Sequence, residues 1–136
     1  MCGIVKYLNI VKTKNRCTMG NFRELLVWQK AKELAIKVYK LVNKTQSFSK
    51  DFGLRDQIQR AAVSIPANIA EGDELGTDKQ SIRHFFIAKG SAAELQTLLI
   101  IAEEINYIKN EETEDLVNEC KIISVMLLKI IKARRN

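Results

Sequence analysis

Residues 53–72 read GLRDQIQRAAVSIPANIAEG. Leu54, Ile58, Ala61, Ile65 and Ile69 recur at intervals of three and four, which places them on one stripe of an α-helix. Asp51, just upstream, is positioned to cap that helix, and Gly72 is the expected C-cap, with residues 73–76 forming a turn. Pro66 sits inside the pattern. It removes one backbone donor and crowds the carbonyl of Ala62, yet the apolar stripe resumes in register beyond it, so one helix kinked at Pro66 is expected. A second stripe, Gln57, Arg60, Ser64, Asn68 and Glu71, runs beside the first. Its short, hydrogen-bonding side chains suit a structural or subunit-interface role, and a solvated polar face is the plain alternative.

The same periodicity extends in both directions. From Phe22 to about Lys44 the apolar positions are Leu25, Trp28, Ala31, Leu34, Ala35, Val38, Leu41 and Val42. The intervening TQSFSKDF, residues 45–52, is polar and aperiodic and reads as a loop. Thr77 with Gln80 has capping-box spacing and opens a third helix through Ile82, Phe85, Phe86, Ala88, Ala92, Leu95, Leu98, Leu99, Ala102 and Ile105. Gly90, in mid-helix, is expected to let a neighbouring helix approach closely. After a turn at Lys109 and Asn110, a fourth helix opens with Glu111, Glu112, Glu114 and Asp115. It closes with Lys129, Lys132, Arg134 and Arg135, which complements the helix dipole at both ends.

Four amphipathic helices with short connections predict an all-α, antiparallel up-down-up-down four-helix bundle. Pairing across the 73–77 turn brings Arg60 level with Gly90 and within a turn of Glu94, so an Arg60–Glu94 ion pair is expected. Met126, Ile130, Ile100 and Ile101 fall off the main seam and would leave an apolar patch suited to self-association.

Composition agrees with a single helical domain. Of 136 residues, 46 % are apolar and 28 % charged, with one proline and six glycines, too little turn chemistry for a sandwich or barrel. The formal charge of +6 is concentrated at the N-terminus. Residues 1–18 carry Lys6, Lys12, Lys14 and Arg16 and no acid, leaving 18 basic and 16 acidic side chains, net +2, for residues 19–136. Met19 precedes the first helical pattern, so residues 1–18 read as an N-terminal extension, disordered or outside the natural chain, with 19–136 the bundle. The alternative is a basic arm docking on nucleic acid. The extension lacks a signal-peptide cleavage pattern, and no apolar run approaches the roughly 20 residues of a membrane span. Cys2, Cys17 and Cys120 form neither a CxxC pair nor a zinc pattern, which fits a cytoplasmic setting.

The chain's chemistry-bearing residues are sparse. His84 is the single histidine and has no glutamate three residues before it, so the Glu-x-x-His pairs of a di-metal bundle are missing. No nucleophile–base spacing or phosphate loop is present. The sequence calls for no cofactor and reads as non-enzymatic. Two basic runs remain, Lys30, Lys37, Lys40 and Lys44 on the first helix and Lys129, Lys132, Arg134 and Arg135 at the C-terminus. Both can contact phosphates. The topology also brings the first toward Glu103, Glu104, Glu111 and Glu112, and the second toward Glu71, Asp73 and Glu74, so solvated and internally neutralised faces are the competing reading.

Three segments carry a family resemblance: Phe22–Ala31 (FRELLVWQKA), Gly53–Gly72, and Ile87–Leu95 (IAKGSAAEL). Together, over roughly residues 21–132, the chain resembles the four-helix-bundle family of 23S rRNA-intervening sequence proteins. The resemblance implies an up-down bundle that assembles into a ring-like homo-oligomer, commonly a pentamer, with no established catalysis. Some members are encoded within sequences interrupting bacterial 23S rRNA genes. Related basic accessory proteins of diversity-generating retroelements associate with a reverse transcriptase and nucleic acid. The implied partners are further copies of the chain and RNA or a ribonucleoprotein, with no membrane role. A protein-interaction scaffold without nucleic acid is the second reading.

Overall fold

Each apolar stripe becomes one wall of a four-helix bundle. The structure, a computed structural model, describes residues 21–75 and 77–135, so the reading of residues 1–18 lies outside the described residues. The helices are α1 (Leu26–Lys44), α2 (Phe52–Glu74), α3 (Asp78–Glu104) and α4 (Asn110–Arg135), with 3₁₀ turns at Phe22–Glu24 and Gln46–Ser49. No strand occurs among the described residues. The main packing partners of α1 are α2 and α4, and these also flank α3. Across α2 and α3, Ser64 meets Ser91 and Asn68 meets His84; across α1 and α4, Lys37 meets Glu119 and Lys44 meets Glu112. In both pairs the partner's number falls as the helix's own number rises.

Local chemistry explains most boundaries. Asp51 Oδ1 accepts from the Leu54 amide at 3.1 Å, which starts α2. Thr77 Oγ1 accepts from the Gln80 amide at 3.3 Å, while the Gln80 side chain turns to the Thr77 hydroxyl rather than completing a capping box. Beyond α3, Asn106 takes φ 65°, the Asn106 amide bonds Glu103 O at 2.9 Å, and the Tyr107 amide bonds Ala102 O at 2.8 Å. Those two bonds form a Schellman cap with asparagine in the left-handed position. α2 continues as one helix through Pro66.

Several expectations are corrected. The first helix starts later: residues 22–24 form a 3₁₀ turn, and extended Leu25 separates it from α1. Val27 is buried there, while Trp28 stays half-buried with its ring 5.1 Å from that of Phe22. The polar loop after α1 carries a core residue. Phe48 is 1 % exposed and packs edge-on against Tyr107, whose hydroxyl donates to Asp51 Oδ2 at 2.9 Å. Gly72 does not end its helix, which continues through Asp73 to Glu74. Instead Gly72 is the close-approach glycine: a Cβ there would stand 2.8 Å from Phe85 Cε1 and 3.1 Å from His84 Cβ. Gly90 is exposed and faces open space. Ile130 is 1 % exposed and Met126 packs against the core, whereas Ile100 and Ile101 do remain exposed. Finally, α3 is by length and composition long and apolar enough to cross a membrane. Its Phe85, Leu95, Leu98 and Leu99 are buried in the bundle.

Candidate nucleic-acid interface

The C-terminal run of α4 divides into an inward and an outward arginine. Arg134 Nη2 donates to Asp73 Oδ1 at 3.2 Å, and its guanidinium lies 5.0 Å from the Phe85 ring centroid. The Asp73 side chain is fully buried and that of Arg134 only 12 % exposed, so this pair ties the ends of α2 and α4 together. A carboxylate in such a place requires a cation beside it. Arg135, the next residue, is exposed and lies 5.4 Å from the ring of Phe86, itself 41 % exposed. Lys129 and Lys132 are exposed at three-residue spacing below it. None of Lys129, Lys132 and Arg135 has a carboxylate partner among the described residues.

The α1 run is treated differently. Lys37 Nζ bonds Glu119 Oε1 at 2.8 Å, and that hydrogen bond, with the charge of Glu119, raises the lysine pKa. Lys44 stands 3.5 Å from Glu112. Lys30 and Lys40 are exposed. Lys40, with Lys32, borders a groove between α1 and α2 whose wall includes Ile36, Tyr39, Val63 and Pro66.

The polar stripe of α2 splits in two. Ser64, Asn68 and Glu71 join a seam with α3. Asn68 Nδ2 donates to Ser64 O at 2.9 Å and to Ser64 Oγ at 3.0 Å. Its Oδ1 must then accept from His84 Nδ1, 3.1 Å away, which assigns the ring proton to Nδ1. Glu71 Oε2 is 3.3 Å from the same nitrogen. Ser64 Oγ completes the chain with Ser91 Oγ at 2.8 Å. Gln57 and Arg60 lie instead along an open groove with Ala61, Ser64 and Glu94. The expected Arg60–Glu94 pair is replaced by a one-turn pair, Arg60 Nη1 to Asp56 Oδ2 at 3.6 Å. Glu94 lines the same groove as Arg60, but Asp56 is one turn away on the same helix and takes the guanidinium instead.

Ser91 and Phe86 are the residues that sequence reading left out of the site, whereas Asp73 already stood among the acids expected near the C-terminal run and does meet Arg134 there. A serine in an otherwise apolar stripe was the available signal for Ser91. Among the described residues, no group of three or more His, Cys, Asp and Glu side chains converges as a metal site would require.

A family model described as 23S rRNA-intervening sequence protein matches residues 23–129. The chain is also similar to a crystal structure of a protein of unknown function from the S23 ribosomal protein family of Bacteroides thetaiotaomicron VPI-5482. The TM-score is 0.74 with 30 % identity, covering 79 % of this chain and 99 % of that one. Among curated proteins none matches.

Proposed function

The chain belongs to the 23S rRNA-intervening sequence protein family, and from that premise we propose that it is a non-enzymatic, homo-oligomeric bundle that binds structured RNA or a ribonucleoprotein in the cytoplasm. The observation that carries this reading is the outward row Lys129, Lys132 and Arg135, exposed and without an acid to neutralise it among the described residues. Lys30 and Lys40 extend the cationic surface on α1, while Lys37, Lys44 and Arg134 are each paired with an acid of a neighbouring helix. Contacts of this kind read phosphate rather than base sequence. A ring, with five subunits as the expected number, multiplies a modest patch by its copy number.

The test is charge reversal. Lys129→Glu, Lys132→Glu and Arg135→Glu together abolish binding of a structured RNA in an anisotropy titration, whereas Lys37→Gln leaves most of it. Equal affinity for the triple variant and the parent removes these residues from the interface. A second reading, a protein-interaction scaffold, draws on the groove walled by Ile36, Tyr39, Val63 and Pro66, whose surface is mostly apolar. Light scattering of the full chain and of a Tyr39→Glu variant decides whether that groove holds an assembly together.

A further inference from the structure

Phe86 stands among cations that helix physics alone does not explain. Lys132 and Arg135 close α4, where positive charge complements the macrodipole. Lys79 and Arg83 do not have that excuse. They occupy the first turns of α3, the end at which a helix favours anions, and both are exposed. Lys79, Arg83 and Phe86 follow at four- and three-residue spacing, so they share one stripe of α3. The first turn contributes a single acid, Asp78. On this stripe a phenylalanine keeps 41 % of its surface in water, and the Arg135 guanidinium reaches over from α4 to lie 5.4 Å from its ring. An exposed ring and cations set against a dipole are both locally unfavourable, and such departures gather at functional surfaces.

We propose that Phe86 and Arg135 form a stacking clamp for an unpaired base of single-stranded RNA, with Lys79, Arg83 and Lys132 holding the flanking phosphates. The inference rests on the RNA-binding reading above and deepens it by naming the form of RNA. A guanidinium plane and an aromatic ring are both flat surfaces on which a base stacks, and every base has a face to offer. Paired bases are already stacked within a helix and cannot enter, so the clamp selects loops and single strands.

The experiment titrates the full chain, and its Phe86→Leu, Phe86→Tyr and Arg135→Lys variants, with a labelled 12-nucleotide oligouridylate and with a duplex RNA of the same length. Each titration is run at two salt concentrations. Loss of one stacked base weakens oligouridylate binding of Phe86→Leu by about fivefold or more, with the salt dependence and duplex affinity unchanged. Phe86→Tyr retains parental affinity, and Arg135→Lys falls between. A parent that binds oligouridylate as tightly as Phe86→Leu does overturns the clamp and leaves the RNA-binding reading standing. A parent that binds neither RNA overturns both. Circular dichroism of each variant confirms that this surface substitution leaves the bundle folded.

Discussion

Gly72 and Gly90 lie on adjacent helices and respond oppositely to an added methyl group. At Gly72 the new Cβ would press on the Phe85 ring and His84 Cβ, and the ring cannot withdraw without disturbing Arg134, which lies over it. Gly72→Ala therefore lowers unfolding free energy by about 1–3 kcal/mol. Gly90→Ala meets nothing and removes a helix-weakening residue, so it raises stability by about 0.5–1 kcal/mol. Urea denaturation of the two variants beside the parent checks both signs. Cys120 offers a second residue-scale prediction. Burial, reinforced by Glu119, pushes its thiol up to about 12 from an ordinary value of 9.0. The folded state thus keeps the neutral thiol while the unfolded chain ionises. Its contribution is complete below pH 9 and lost progressively as pH rises toward 12. Stability measured from pH 8 to 11 falls for the parent, and falls less steeply for Cys120→Ala.

At the scale of elements, the polar seam of α2 and α3 works as a directed chain of hydrogen bonds. Ser64→Ala leaves the buried Ser91 hydroxyl without that partner and costs about 1–2 kcal/mol. Removing both hydroxyls costs less than the two single changes combined, because no polar group is then left stranded. Thermal unfolding of the three variants gives the coupling. The buried pair at the end of the bundle is more severe: Asp73→Ala leaves Arg134 12 % exposed beside an apolar ring, and the expected loss is about 3–5 kcal/mol. This scale also separates what was legible in the sequence from what was not. The helices and the Asp51 and Thr77 caps depend on residues within a turn of one another, so periodicity and spacing reveal them. The partner of Arg60, the glycine at the crossing and the burial of Phe48 depend on how two helices rotate against each other. Sequence spacing does not encode that rotation, and a one-turn partner such as Asp56 takes the arginine ahead of an acid on the neighbouring helix. Phe48 in particular looked like part of a polar loop because only its position under Tyr107 makes it core.

Over the whole molecule, charge is sorted by whether the fold neutralises it. Glu119 and Glu112 pair with Lys37 and Lys44 at the surface and Asp73 holds Arg134 in the bundle, while Lys129, Lys132 and Arg135 stay outward. Part of this sorting was legible: Glu112 and Asp73 stood among the acids expected near the two basic runs, and they do pair with Lys44 and Arg134, yet consecutive Arg134 and Arg135 take opposite orientations that only packing separates. Exposed Ile36, Tyr39 and Val63 add an apolar surface on α1 and α2. A bundle that assembles through it elutes as a multiple of 15.5 kDa, and Tyr39→Glu shifts it toward the monomer in light scattering. The most direct measurement is the affinity of the full chain for a structured RNA between 50 and 200 mM salt, both values being about those over which phosphate contacts weaken steeply. Binding through the outward cations gives a log Kd that rises against log salt with a slope of at least about 2 for three phosphate contacts per subunit. Undetectable binding at the lowest salt, or a slope near zero, would contradict an RNA-binding role for this surface.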